Sequence, residues 1–396
     1  MSETGDSLCI LGRQPEFGRA ELESLYGSRL LRANHWAAIL SLPAQEISFQ
    51  RLGGTQKVAK VLAHLPTTTW GDIEKYMLDN VPSRIDTDQG GKFTLGLSAY
   101  GFNVSPSQVQ GLALKIKKKT THPMRIVPNQ AIGLNSASVL HNKLTSRGAW
   151  ELLLVRDGKS TILGQTMFVQ DIEAYAARDQ VRPARDARVG MLPPKLAQIL
   201  INLASGQVSP PGRTVLDPFC GTGVVLQEAL LMGYDVIGTD IESRMVDYSQ
   251  KNLDWLTTNY KLQTTNYKLK VADATNHRWP PFNAIATEAY LGRPLTSLPA
   301  RTELQTIIQD VNTITKKFLK NLQPQLNPGS LAAIALPAWY LGGNRFAHLP
   351  IIDDLTDMGY NVADFKHLGS KPLIYHRPGQ VVAREVIVIK KRILDE

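Results

Sequence analysis

At 396 residues, with 43% hydrophobic side chains and a formal net charge of +9, the chain exceeds one ordinary domain and can bury two or three cores. No apolar run reaches the length of a membrane span, and residues 1–6 lack the basic and apolar parts of a signal peptide, so a soluble, cytoplasmic protein without membrane association is expected. Two cysteines, Cys9 and Cys220, exclude a disulfide framework and give no metal-ligand spacing, while the positive balance permits nucleic acid as a partner without requiring it.

In chain order, residues 8–11 read as a strand and 15–25 as a helix on apolar spacing. A strand at 37–42 and a helix through Val58-Ala59-Lys60-Val61-Leu62 complete a small α+β unit. A second mixed unit begins near Trp70, with a strand at 93–98, a helix ending in Lys115-Ile116-Lys117-Lys118-Lys119, and strands near 125–127 and 150–155. Between 170 and 191 the periodicity gives way to arginines, prolines and acids, which predicts a surface linker carrying Arg178, Arg182, Arg185 and Arg188. These arginines and the lysine cluster are candidate phosphate contacts, the competing role being a solvated charged face. A helix starts after Pro193-Pro194, and from Thr214 onward strands and helices alternate, the pattern of a parallel, doubly wound α/β sheet. A helix at 303–322, a strand at 330–336 and a last strand at 381–389, paired antiparallel, close the chain.

The most informative stretch is Asp217-Pro218-Phe219-Cys220-Gly221-Thr222-Gly223, between an apolar strand and a helix start. Gly221 and Gly223 lack the Cβ atoms that would hold backbone amides away from a ligand, and the helix N-terminus offers unpaired N–H groups. Asp217 would repel a pyrophosphate and attract the cationic amino acid end of S-adenosylmethionine. The dinucleotide fingerprint fails, because Val224, Val225 and Leu226 follow where a third small residue is required. A second strand ends in Asp240, where Rossmann-type folds bind ribose hydroxyls, and a third leads into Asp273-Ala274, suited to an adenine amine. Each acid taken singly also fits a helix cap or turn. Cys220 reads as a small residue filling a tight turn.

Gly53-Gly54-Thr55-Gln56-Lys57-Val58, Arg178-Asp179, Arg182-Pro183, Met191-Leu192-Pro193-Pro194-Lys195-Leu196-Ala197 and the 217–223 run together resemble the THUMP-domain tRNA guanine-N2 methyltransferases, which act on the guanosine at tRNA position 10. The resemblance implies a ferredoxin-like domain at 1–68, a THUMP domain at 69–170 that grips the acceptor end of tRNA, a linker at 171–192 and a class I methyltransferase domain at 193–396. It implies cofactor contacts from Asp217, Pro218, Phe219, Gly221 and Gly223 to the methionine part, from Asp240 and Ile241 to the ribose, from Asp273 and Ala274 to the adenine, and from Thr287. Lys115, Lys117, Lys118, Lys119, Arg178 and Arg182 become candidate RNA contacts. The partner implied is tRNA, with any small activating protein left open.

The chain departs from the family in the loop after the fourth strand. Family members carry an Asp or Asn, two prolines and an aromatic there; this chain has Ala284-Ile285-Ala286-Thr287-Glu288-Ala289-Tyr290-Leu291-Gly292. An exocyclic guanine amine has its lone pair delocalised into the ring, so an enzyme must accept hydrogen bonds from it. Glu288 is the candidate acceptor, Thr287 or the Glu288 carbonyl the second, and Tyr290 the stacking ring. A competing role for Glu288 is a helix cap or an ion pair with Arg293. Two alternative functions stay open: an N6-adenine nucleic-acid methyltransferase, because a similar loop serves both amines, and a non-catalytic RNA-binding protein that retains the cofactor fold.

Overall fold

The computed structural model describes residues 5–86, 91–186, 191–207, 210–369 and 371–392, so Arg188 lies outside the described residues. The chain divides into two compact units, one built from Met1–Arg19, Tyr26–Gln50 and Gly54–Ala174, the other from Ala20–Leu25, Arg51–Gly53 and Tyr175–Glu396. No helix among the described residues is long and apolar enough to cross a membrane.

The first unit comprises β1 (Ser7–Leu11), α1 (Pro15–Tyr26), β2 (Leu30–Ala33), β3 (Ala37–Leu40), β4 (Thr55–Leu65), α2 (Trp70–Asp86), β5 (Phe93–Tyr100), α3 (Pro106–Lys119), β6 (Met124–Ile126), α4 (Ser136–His141), β7 (Ala149–Asp157) and β8 (Ser160–Val169). The strands form one sheet in the order β2-β3-β1-β4-β8-β7-β5-β6. The two stretches that read as separate α+β units therefore share a sheet, joined where β4 pairs antiparallel with β8. The segment expected to be a helix at 58–62 is instead the middle of β4. Val58, Ala59, Val61 and Leu62 are all buried; a strand covered on both faces loses its alternation, and its apolar run then imitates a helical stripe. Lys57, on the same strand, is buried and shares its ammonium between Glu151, the Leu134 carbonyl at 2.7 Å and the Tyr100 hydroxyl at 3.3 Å. Helix α3 starts at a capping box, the Ser105 hydroxyl accepting from the Gln108 amide at 3.2 Å and the Gln108 side chain from the Ser105 amide at 2.8 Å.

The chain continues through α5 (Ile172–Gln180) and then, in the second unit, α6 (Pro194–Ser205), β9 (Thr214–Asp217), α7 (Val224–Leu231), β10 (Asp235–Asp240), α8 (Ser243–Asn259), β11 (Tyr267–Val271), β12 (Ala284–Glu288), α9 (Arg301–Leu322), β13 (Leu331–Gly342), β14 (Arg345–Ala347), β15 (Tyr360–Val362), β16 (Leu373–Tyr375) and β17 (Val382–Lys391). Helix α5 occupies the first part of the stretch expected as a surface linker, with none of its residues buried. Asp171 starts it by accepting from the Glu173 and Ala174 amides, each at 3.0 Å.

The large sheet runs β11-β10-β9-β12-β13-β17-β15, with β14 beside β13 and β16 beside β17. The four central contacts are parallel, and β17 pairs antiparallel with β13 as the sequence predicts. After β9 the chain steps outward to β10 and β11, then crosses to β12 on the other side of β9. In such open sheets, ligands bind at the carboxyl ends of the strands beside that reversal.

Candidate functional site

The parallel register brings the carboxyl ends of β9, β10, β11 and β12 to one edge. Asp217 lies opposite Gly238, two residues before Asp240, and Asp240 lies opposite Val271. Asp217, Asp240, Asp273, Thr287 and Glu288 thus gather at the reversal, although 71 residues separate Asp217 from Glu288 in sequence.

The turn after β9 holds two residues in left-handed backbone, Gly221 at φ +50° and Gly223 at φ +81°. At Gly223 a Cβ would also come within 2.9 Å of the Ser249 hydroxyl. Around Gly221 nothing nearer than the Phe219 carbonyl at 4.0 Å would meet one, so its Cα faces open space. Four of the amides that the turn could offer a ligand are taken up within the fold. The Phe219 amide donates to Asp217 Oδ1 at 3.2 Å, Cys220 to the Thr239 carbonyl at 2.8 Å, Gly221 to Asp240 Oδ2 at 2.9 Å and Gly223 to the Cys220 carbonyl at 2.7 Å. A pyrophosphate would need those donors. With them spent, the cradle is lined by carboxylates, which favours a cationic ligand.

Asp217 is 2% exposed, and the Thr287 hydroxyl donates to its Oδ1 at 2.6 Å. Burial pushes this carboxyl up to about 7 against those two hydrogen bonds, with the Asp240 and Glu288 charges adding to the rise. Asp240 is also raised by burial, opposed by the amides of Glu242 and Gly221. Next to it Ile241 is 67% exposed, an apolar surface beside an acid, suited to the face of a nucleoside. Asp273 is half-buried and shapes its own turn, accepting from the Thr275 amide at 2.8 Å, with Ala274 buried beside it. Pro218 gives its carbonyl to the Thr239 hydroxyl at 3.1 Å, and Phe219 packs edge-on against Phe318 at 4.9 Å. Cys220 is buried and its thiol is raised well above the ordinary value, which keeps it an inert filler.

Glu288 has neither partner weighed from the sequence. Its Oε1 is held by Arg384 on β17, and Arg293 pairs instead with Glu303. Arg384 sits opposite Pro337 in the β13–β17 register, 6% exposed, against 16% for the Glu288 side chain. No described residue bonds to Glu288 Oε2. Burial raises this carboxyl and the Arg384 charge pulls it down, leaving an anchored acceptor with one free oxygen. Tyr290, two residues on, is 45% exposed. Thr287 is buried and its hydroxyl orients Asp217 by donating to it, a bond that leaves the oxygen lone pairs as acceptors. Arg384 is the residue sequence reasoning missed; its signal was a charged pair, Arg384-Glu385, at the head of the apolar Val386-Ile387-Val388-Ile389 run.

The charged candidates divide. Arg178 is 10% exposed, bonded at 2.7 and 3.3 Å to the buried Glu228 of α7, and Arg182 is 2% exposed, so both are withdrawn as phosphate contacts and assigned to packing. In the first unit, Lys115 pairs with Glu74, Lys119 pairs with Asp79 at 3.1 Å, and Lys117 and Lys118 are exposed without an ion pair among the described residues. No group of metal-ligating residues occurs among the described residues.

These residues fit S-adenosylmethionine: carboxylates for its ammonium and ribose, an exposed apolar face for its base, and a glycine whose missing Cβ leaves the cleft open. Gly221→Ala is expected to lower cofactor affinity about tenfold or more while the protein still melts cooperatively, because the methyl enters that cleft and left-handed backbone costs alanine roughly 1–2 kcal/mol. Calorimetry checks this, and unchanged affinity would move the site elsewhere.

Comparison with known proteins gives partial matches in sequence and a whole-chain match in fold. A family profile described as DNA methylase matches residues 177–251. The tRNA (guanine(10)-N2)-dimethyltransferase of Methanothermobacter thermautotrophicus is 48% identical over 64 residues, 16% of this chain and 18% of that protein. The protein of the same name from Pyrococcus abyssi is 38% identical over 113 residues, 28% of this chain and 32% of that protein. The chain thus matches less than a third of the length of these curated relatives. The crystal structure of TrmN from Thermus thermophilus superposes with a TM-score of 0.54 at 17% identity, over 98% of this chain and 99% of that one. The second unit has the Rossmann-like α/β fold of methyltransferases, and the chain is similar over short stretches to tRNA guanine-N2 dimethyltransferases.

Proposed function

We propose that this chain is an S-adenosylmethionine-dependent tRNA methyltransferase acting on the exocyclic N2 amine of a guanosine, position 10 being the first candidate. The single observation that carries the chemistry is Glu288, anchored through one oxygen by Arg384 and open at the other, beside the exposed ring of Tyr290. The relatives' names support the substrate.

S-adenosylmethionine supplies a methyl group already activated on a sulfonium. The chain's residues supply position and a proton acceptor. Tyr290 stacks on the guanine once it has left its helix. Glu288 Oε2 accepts a hydrogen bond from the amine and localises the lone pair on nitrogen. As the nitrogen–carbon bond forms and the sulfur–carbon bond breaks, the proton shed by nitrogen passes to Glu288, whose basicity burial has raised. Arg384 keeps the carboxylate in place throughout.

The first unit is proposed as the RNA-gripping part, a ferredoxin-like portion at 1–68 and a THUMP portion at 69–170, with α3 presenting Lys117 and Lys118. Lys117→Gln with Lys118→Gln is expected to weaken tRNA binding regardless of sequence and to shrink the slope of log affinity against log salt by about two. The ion-paired Lys115 and Lys119 contribute less. An unaltered salt slope in the double variant would remove α3 from the interface.

Incubation of unmodified tRNA transcript with protein and S-adenosylmethionine, followed by nucleoside mass spectrometry, tests the function and counts whether one or two methyls are added. Absence of methylguanosine would sink it. The DNA methylase profile over 177–251 favours a second reading, transfer to the N6 amine of adenine, which methyladenosine in the same assay would establish.

A further inference from the structure

Strand β12 ends at Glu288, whereas its neighbour β13 and the Arg384-bearing β17 extend beyond that level. Ala335 of β13 lies beside Glu288, and Tyr340 stands five residues further on, about 17 Å at the rise of a strand. There the chain reverses through Gly343 and Asn344, both left-handed at φ of 58° and 59°, with Gly342 paired to Arg345. This two-residue turn matches the twist of a hairpin, and after a register shift between Gly342 and Tyr340 β14 places Phe346 opposite Tyr340. His376, just after β16, stacks on the Tyr340 ring at 4.6 Å and 29° and meets Phe346 edge-on at 5.4 Å. In the β16–β17 register Tyr375 sits opposite Arg384, the residue that anchors Glu288, so ring cluster and carboxylate hang on one framework.

All three rings keep part of their surface outside the core. Arg345 is exposed at the hairpin tip without an acidic partner among the described residues, and the exposed Arg377 guanidinium lies 5.7 Å from the centre of the Tyr375 ring. Neither 340–347 nor 371–380 contains an acidic residue. Aromatic faces flanked by unopposed guanidinium groups suit unstacked bases and their phosphates. We propose that Tyr340, Phe346 and His376, with Arg345 and Arg377, form a second RNA contact, holding nucleotides that flank the methylated base. It rests on the nucleic-acid reading above. Extruding the target base leaves its neighbours unstacked, and this platform receives them.

The test compares wild type with the triple variant Arg345→Gln, Phe346→Leu, Arg377→Gln on unmodified tRNA transcript. Affinity is expected to fall about tenfold or more, KM to move more than kcat, and the salt slope to shrink by about two, with S-adenosylmethionine affinity unchanged by calorimetry. Should the triple variant misfold, Arg345→Gln at the exposed tip alone shrinks the slope by about one. Transcript carrying 5-bromouridine should crosslink to peptides spanning 340–346 or 371–377. Wild-type KM, affinity and salt slope in a folded variant would overturn this inference and leave the methyltransferase reading standing. A wild-type protein that neither binds nor methylates tRNA would overturn both.

Discussion

Single-turnover methyl transfer to unmodified tRNA is expected to fall a hundredfold or more in Glu288→Ala, with little change in cofactor affinity. A group that accepts the amine proton acts mainly as nitrogen becomes nucleophilic, so its removal appears in the rate of transfer. The complication is Arg384. Alanine at 288 leaves a guanidinium 6% exposed without its carboxylate, and breaking a buried pair by removing one partner costs roughly 3–5 kcal/mol of stability. The double variant Glu288→Ala, Arg384→Leu separates the two effects, because it removes the orphaned charge. Melting temperature should recover in the double variant while turnover stays low. Glu288→Gln keeps an oxygen for Arg384 but is a poor base, and should lie between alanine and wild type. Tyr290→Ala should weaken productive RNA binding by about 1 to 3 kcal/mol, the usual scale of base stacking. Wild-type transfer rates in folded Glu288→Ala would rule out the proton-accepting role.

The strand, glycine turn and helix around Gly221 and Gly223 were legible because their signals are local. A strand, an acid, two glycines and a helix start lie within a dozen residues, and Asp240 at the end of β10 and Asp273 just after β11 follow at the spacing of successive strands. What the sequence conceals is where hydrogen-bond capacity goes once the chain folds. The Gly221 amide looks available until Asp240, 19 residues away, folds across and takes it. Arg178 looks like a phosphate ligand until Glu228 of α7 neutralises it, and the same pair holds α5 to its neighbours, which is why a short helix without a clear apolar stripe was read as linker. β4 was misread because a doubly covered strand shows no alternation. Arg384 was beyond reach for a different reason: its partner lies 96 residues away and meets it only through the antiparallel return of β17.

S-adenosylmethionine affinity is expected to rise with pH up to about 7 and to decline once the ligand's own ammonium group loses its proton, at about 7.7 to 8.0. Burial holds the Asp217 carboxyl near 7, so below that pH the free protein carries a proton there, which must leave before an ammonium group can be bound. Affinity should therefore change about tenfold per pH unit between roughly pH 5 and 7, below the range of about 7.7 to 8.0 where the ligand's own α-amino group titrates. Calorimetry in buffers of different ionisation enthalpy should register close to one proton released per cofactor bound at the acid end. The same carboxyl affects folding with a definite sign. An unfolded aspartate titrates near 3.9, so between about 4 and 7 the folded chain holds a proton that the unfolded chain lacks, and stability contributed by this group falls as pH rises through that window. Asp217→Asn cannot ionise. It should remove the Asp217 part of that decline, leaving the contributions of Asp240 and Glu288, which have the same sign. It should also bind the cofactor weakly, with little dependence on pH, because an amide offers no charge to the ammonium. A stable, weakly binding Asn variant would show that the chain accepts a costly buried acid in return for cofactor binding. Flat wild-type affinity across the acid range would instead mean that Asp217 stays protonated and that another group meets the ammonium.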